Sequence, residues 1–164
     1  MHAFKRVGVL LAIVLTSAFP AFGQDATWKT APPDNDLNNG ANWSSGSVPT
    51  GVATFGQSNQ TSLTIAGVGP VFLSIDTFTF SAGAPAYTFT PGFNSITFTG
   101  LGIVNNSSNA PTFNVIGGLT FASGSAANAI INVSAGGTLF FMGNATAKTL
   151  SSLPEPARSI FRAM

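Results

Sequence analysis

Catalysis and metal binding begin with side chains that hold protons, ligate ions or attack carbon, and this sequence is poor in them. Its only histidine is His2, its acids are Asp25, Asp34, Asp36, Asp76 and Glu155, and it has no cysteine. A Ser-His-Asp arrangement needs a histidine beside the nucleophile, and His2 falls within an N-terminal leader. Thiol, iron–sulfur and cysteine-based zinc chemistry have no ligands here. Glycoside hydrolysis normally uses two carboxylates flanking the bond. Between Leu37 and Ala147 the only charged residue is Asp76, with Asp34 and Asp36 in the loop before it. The same stretch has no basic residue to serve as a lyase base. Asp34-Asn35-Asp36 has oxygens suited to a weak Ca²⁺ loop, but acidic turns of this kind are more often simply solvated. Asp76 reads as a structural corner residue. The expectation is a non-enzyme with no catalytic residue, no metal and no cofactor.

Trp28 and Trp43, the two tryptophans, carry the remaining binding chemistry. Exposed on an uncharged loop, they would stack on sugar rings and make a carbohydrate-binding surface. Alternatively, they cover one end of a repetitive core, because terminal repeats need an atypical lid. The second reading is preferred.

Charged residues make up 7% of the chain, against about 25% in an ordinary domain. The formal net charge of +1 does not indicate a nucleic-acid partner, since no basic patch is present to neutralise phosphates. After the leader, apolar residues are scattered among Thr, Ser, Asn and Gly, and no run approaches the roughly 18 needed for a spanning helix. Half-buried strands joined by small-residue turns are expected.

Residues 1–23 read as a secretory signal. Lys5 and Arg6 precede an apolar run from Val7 to Leu15; Ala21-Phe22-Gly23 places small residues for cleavage before Gln24. An uncleaved membrane anchor is the alternative. Export to the cell surface or medium is expected, or to the periplasm if no translocator is supplied.

The body repeats. Thr79-Phe80-Ser81-Ala82-Gly83, Thr97-Phe98-Thr99-Gly100, Thr120-Phe121-Ala122-Ser123-Gly124 and Phe140-Phe141-Met142-Gly143 share an aromatic followed by small residues around Gly. Phe80, Phe98, Phe121 and Phe141 are separated by 18, 23 and 20 residues, close to the about 20–29 of known solenoid coils. Ser95-Ile96-Thr97-Phe98 alternates like a half-buried strand. In the segment from Leu73 to Phe80 the alternation changes parity at Asp76, so a bend there keeps Leu73, Ile75, Phe78 and Phe80 all facing inward. These features predict an all-β fold: a short right-handed parallel β-solenoid of roughly five coils with an N-terminal cap. A β-sandwich is the alternative. Stacked coils repeat each position about every 4.8 Å, which disfavours columns of charge and favours Thr, Ser and Asn ladders. The Asn-x-Ser/Thr triplets at Asn42, Asn59, Asn105, Asn106, Asn132 and Asn144 are read as turn and ladder residues.

Ala26-Thr27-Trp28, the Asp/Asn-rich loop, Asn42-Trp43-Ser44, Val48-Pro49 and Ala53-Thr54-Phe55 together resemble the opening of bacterial autotransporter passengers of the passenger-associated repeat type. Gly118-Leu119-Thr120-Phe121 and the stretch from Gly137 to Thr146 resemble their later coils. The chain departs from the pattern in lacking a Trp near Leu37 and a C-terminal translocator barrel. The resemblance implies a secreted or cell-surface structural or adhesive module, a passenger-like fragment with no catalytic activity. Its partners would be surface glycans or other copies of itself, besides the export machinery. The expected organisation is a signal peptide at 1–23, a cap at 24–51, coils at 52–147 and an irregular tail at 148–164. Pro154-Glu155-Pro156 in that tail resembles a surface-sorting motif. A truncated end is the competing reading, with a frayed helical turn over 157–163.

Overall fold

Alternating apolar residues and glycine-rich corners produce short strands that stack one coil upon another. The computed structural model describes residues 23–147 and the backbone of Ile160–Arg162. The leader, apart from Gly23, and the rest of the tail lie outside the described residues. The strands are β1 (Ala26–Thr27), β2 (Val52–Phe55), β3 (Ser62–Thr64), β4 (Phe72–Phe80), β5 (Thr88–Thr90), β6 (Ser95–Asn105), β7 (Thr112–Val115), β8 (Gly118–Phe121), β9 (Ile130–Val133), β10 (Thr138–Phe141) and β11 (Ile160–Arg162). A single 3-10 turn, Gly40–Asn42, is the only helical element among them. No helix among the described residues is long and apolar enough to cross a membrane.

Every strand pairing is parallel. One sheet runs β1-β2-β4-β6-β8-β10-β11 and the other β3-β5-β7-β9. The result is a β-solenoid of about five turns, and the sandwich alternative is discarded. The larger sheet contains two rows, because β4 and β6 each run through a corner. Thr77–Phe80 pairs with Val52–Phe55 below and Gly102–Asn105 above, whereas Phe72–Ile75 pairs with Ser95–Phe98. The register breaks between Ile75 and Thr77, where the sequence places its change of parity, and Leu73, Ile75, Phe78 and Phe80 are all buried. Each early coil therefore has three strand positions, with β3, β5, β7 and β9 as the middle row.

The inward side chains form columns. Phe98, Phe121 and Phe141 stack with ring centroids 4.9 Å apart at each step, and Ile75 continues that column below Phe98. Phe89 stacks on Phe113 at 4.6 Å. Phe80 does not belong with Phe98: it lies above Phe55, at 5.2 Å, in a different row. Inward aromatics from different rows of a coil look like one repeat when read linearly. In the Phe98 row the 23 and 20 residues to Phe121 and Phe141 are true coil steps; in the Phe80 row the step is 25 residues from Val52 to Thr77 and again to Gly102, falling to 21 between Ser125 and Thr146.

Corners set how closely coils approach. Gly102 has φ +75°, and a Cβ there would lie 2.5 Å from the Ser125 carbonyl oxygen; both the conformation and the space call for glycine. In the tail, Ile160–Arg162 runs parallel to β10, Leu139 opposite Ile160. The coil pattern is thus taken up again where sequence reading expects a helical turn, because pairing to an existing edge overrides weak local preference.

Removing a ring from a column should cost far more than removing one from the outside. Phe98→Ala, which takes away contacts to Phe78 and Phe121, should lower unfolding free energy by about 3–5 kcal/mol. Phe72, 76% exposed, should tolerate the same change within about 0.5 kcal/mol. Urea denaturation followed by circular dichroism measures both.

Candidate functional site

The tryptophans are interior residues. Trp28 and Trp43 are 1% and 0% exposed, joined by an antiparallel bridge, with rings edge-on at 5.1 Å. Each lies against Phe55, at 6.4 and 5.7 Å, so the pair floors the aromatic core. Their indole N–H groups are also spoken for: Trp28 Nε1 donates to the Gln60 carbonyl at 3.1 Å and Trp43 Nε1 to the Leu37 carbonyl at 3.0 Å. Stacking on a sugar requires an open ring face, and neither ring offers one. The geometry is that of the lid.

The acidic loop braces this lid. Asn42, fully buried, donates through Nδ2 to Asp34 Oδ1 at 2.5 Å and to the Asp36 carbonyl at 2.7 Å. Asp34 also accepts from the Asp36 N–H at 2.9 Å and from Asn39 Nδ2 at 2.7 Å. These donors, Asn42 first, then the Asp36 amide and Asn39, hold the Asp34 carboxyl below the usual aspartate range. Asp36 Oδ1 accepts from the Asn38 N–H and from the Ala66 N–H of the next coil, each at 2.9 Å. A Ca²⁺ site needs carboxylate oxygens turned toward a common centre; here they are turned toward N–H donors. No cluster of three or more His, Cys, Asp or Glu side chains suited to a metal occurs among the described residues.

One arrangement escapes linear reading. Asp25 and Asp76 border a single open groove of about 420 Å³, with Gly23, Thr50, Gly51 and Thr99 as its other walls. Register brings them together across intervening coils. Asp25 Oδ1 accepts from the Val52 N–H at 2.7 Å and fills the space a Cβ on Gly51 would need. The Asp76 carboxylate likewise occupies the space a Cβ on Gly100 would need. Aspartate in one coil lying over glycine in the next is the signal, visible once the coil length is known. Two carboxylates in one groove are the starting material for glycoside hydrolysis, yet both are folded against neighbouring backbone as corner struts.

The outer faces carry the polar ladders. Thr27, Thr54 and Thr79 align in one column, and Ser74, Thr97 and Thr120 in another. In the middle row Thr64, Thr90, Asn114 and Asn132 follow one another. There Asn132 donates to Asn114 at 3.0 Å and Asn114 to Thr90 at 3.3 Å. Asn105 similarly donates to Asn128 at 2.9 Å.

Because the native Asp34 pKa is depressed, its contribution is present above the ordinary aspartate range and lost as pH falls through the native value. The fluorescence of Trp28 and Trp43 should therefore report cap loosening only in acid. Asp34→Asn should weaken the cap at neutral pH and flatten that acid dependence. At the groove, Gly100→Ala should destabilise the protein, and the penalty should shrink in an Asp76→Ala background; equal penalties in both backgrounds would refute the strut.

Comparison with family models, with curated proteins and with solved structures finds no match for this chain.

Proposed function

We propose that the protein is an exported, non-catalytic structural or adhesive β-solenoid of the cell surface or surrounding medium, related in design to an autotransporter passenger. The observation that carries this reading is the set of uncharged, in-register Thr, Ser and Asn columns on the outside of a rigid stack. A rigid surface repeating one donor–acceptor pattern suits many weak, simultaneous contacts to a neutral partner, where avidity replaces a single tight site. The signal-like leader supports export. The engagement of Asp25, Asp34 and Asp36 by N–H donors supports a non-catalytic role.

The reading makes a demand on ionic strength. Contacts between uncharged columns and a neutral surface are not screened by salt. Beads coated with the exported chain should bind cells or neutral polysaccharide equally well at low and high salt. Adhesion that collapses as salt rises would overturn the reading, as would release of reducing sugar from any polysaccharide at a rate abolished by Asp76→Asn. The N-terminus of the exported product should be Gln24.

A further inference from the structure

We propose that Asn39–Gly40 is a site of spontaneous deamidation: the closed cap holds it unreactive, and conversion after opening keeps the cap from closing again. It is the only Asn-Gly pair in the sequence. Asparagine before glycine is prone to this reaction because no side chain shields the following amide nitrogen and the backbone there turns freely. The fold nevertheless calls for both residues. Asn39 Oδ1 accepts from the Ala41 N–H at 3.0 Å, and its Nδ2 donates to Asp34 Oδ2 at 2.7 Å. A Cβ on Gly40 would lie 2.6 Å from the Gly46 carbonyl oxygen, so the turn packs too closely for a larger residue.

The reaction is a ring closure. The Gly40 nitrogen attacks Asn39 Cγ and an N–C bond forms. The Cγ–Nδ2 bond breaks, and the amide proton leaves with Nδ2 as ammonia. Water then opens the succinimide at either carbonyl, giving aspartate or isoaspartate at position 39. The ring is nearly flat, so the Gly40 nitrogen and Asn39 Cβ must lie on the same side of the Cα–C bond. At the observed ψ of 111° they are turned well apart. Bringing them together moves Gly40 away from Gly46 and the Ala41 N–H away from Asn39 Oδ1, which the closed turn resists. Once formed, the product cannot restore the latch. Aspartate at position 39 puts a second carboxylate oxygen where Nδ2 stood, 2.7 Å from Asp34 Oδ2, and like charges at that distance repel. Asp34 also holds Asn42 and the Asp36 amide, so the disturbance reaches the loop that carries Trp43. One opening is thereby made permanent, and the first coil loses its cover.

Peptide mass mapping of the exported chain, stored at neutral pH, follows the conversion of amide to acid at position 39. Isoaspartate should appear beside aspartate, which marks the succinimide route. The folded parent should convert at least about tenfold more slowly than the chain unfolded in urea, because charge-assisted hydrogen bonds hold the amide. Asp34→Asn, which sets two carboxamide donors against each other, should speed conversion in the folded chain. Asn39→Asp imitates the product and should lower the urea midpoint and shift tryptophan emission toward that of exposed indole. In Asp34→Asn/Asn39→Asp the donor and acceptor trade places, while the oxygen that receives Asn42 and the Asp36 amide is kept, so both readouts should return toward the parent. Equal rates in the folded parent and the unfolded chain overturn the proposal, as do equal rates in the parent and Asp34→Asn. An Asn39→Asp variant as stable as the parent, or a double variant no better than Asn39→Asp, overturns the latch.

Discussion

Parallel stacking in register is the constraint from which the other features of this molecule descend. Each strand hydrogen-bonds to the equivalent strand one coil away, so any residue choice is repeated, or answered, about every 4.8 Å. A charge placed on a face meets its own kind above and below unless the sequence changes from coil to coil. A hydroxyl or carboxamide meets a partner, as Thr90, Asn114 and Asn132 do. Inside, the same rule turns single phenylalanines into columns whose rings stack at 4.6–4.9 Å. Aromatic pairs of this kind contribute about 0.5–1.5 kcal/mol beyond the area they bury. The scarcity of charge and the abundance of Phe are thus two consequences of one geometry.

Corners show how strictly the constraint operates. Where coils turn, the backbone of one passes close to the next, and a side chain at the wrong position collides with it. Asp25 and Asp76 resolve this by lying over Gly51 and Gly100. The carboxylate occupies the volume that glycine vacates, and Asp25 satisfies an amide of the coil above. Bringing these two acids to one groove is a by-product of stacking. Corner acids should accordingly be counted as part of the backbone's hydrogen-bond accounting before they are counted as chemistry.

Much of this was legible in the residues, and the part that was not has a physical cause. The all-β class, the solenoid and the bend at Asp76 follow from local alternation, which is a property of consecutive residues. The assignment of Phe80 and Phe98 to one column fails because more than one row carries inward aromatics, and only register tells them apart. Trp28 and Trp43 could be read either way, since the burial of a loop tryptophan depends on what packs over it. The meeting of Asp25 with Asp76 was invisible for the same reason: it depends on coil length, which varies from coil to coil and from row to row along the stack. The pairing of Ile160–Arg162 with β10 is also non-local. Composition spoke for the class of fold, and pairing decided the neighbours.

The ends of the stack explain where the acidic residues went. A coil in the interior finds its backbone partners in the coils on either side, so its side chains are free to be small. Among the described residues, the first coil has no strand beneath it. Its backbone donors must be met from within, and its apolar floor must be closed by something wider than a strand. The segment from Asp25 to Trp43 does both. Asp34, Asp36 and Asn39 supply acceptors to the turn amides, Asn42 ties the loop from the inside, and the two indoles spread across the core. Three of the four aspartates lie in this segment because it is where stacking cannot provide. The Asp/Asn-rich loop and the tryptophans around it therefore form one device, built to end a ladder that would otherwise present unpaired backbone to any strand that came near.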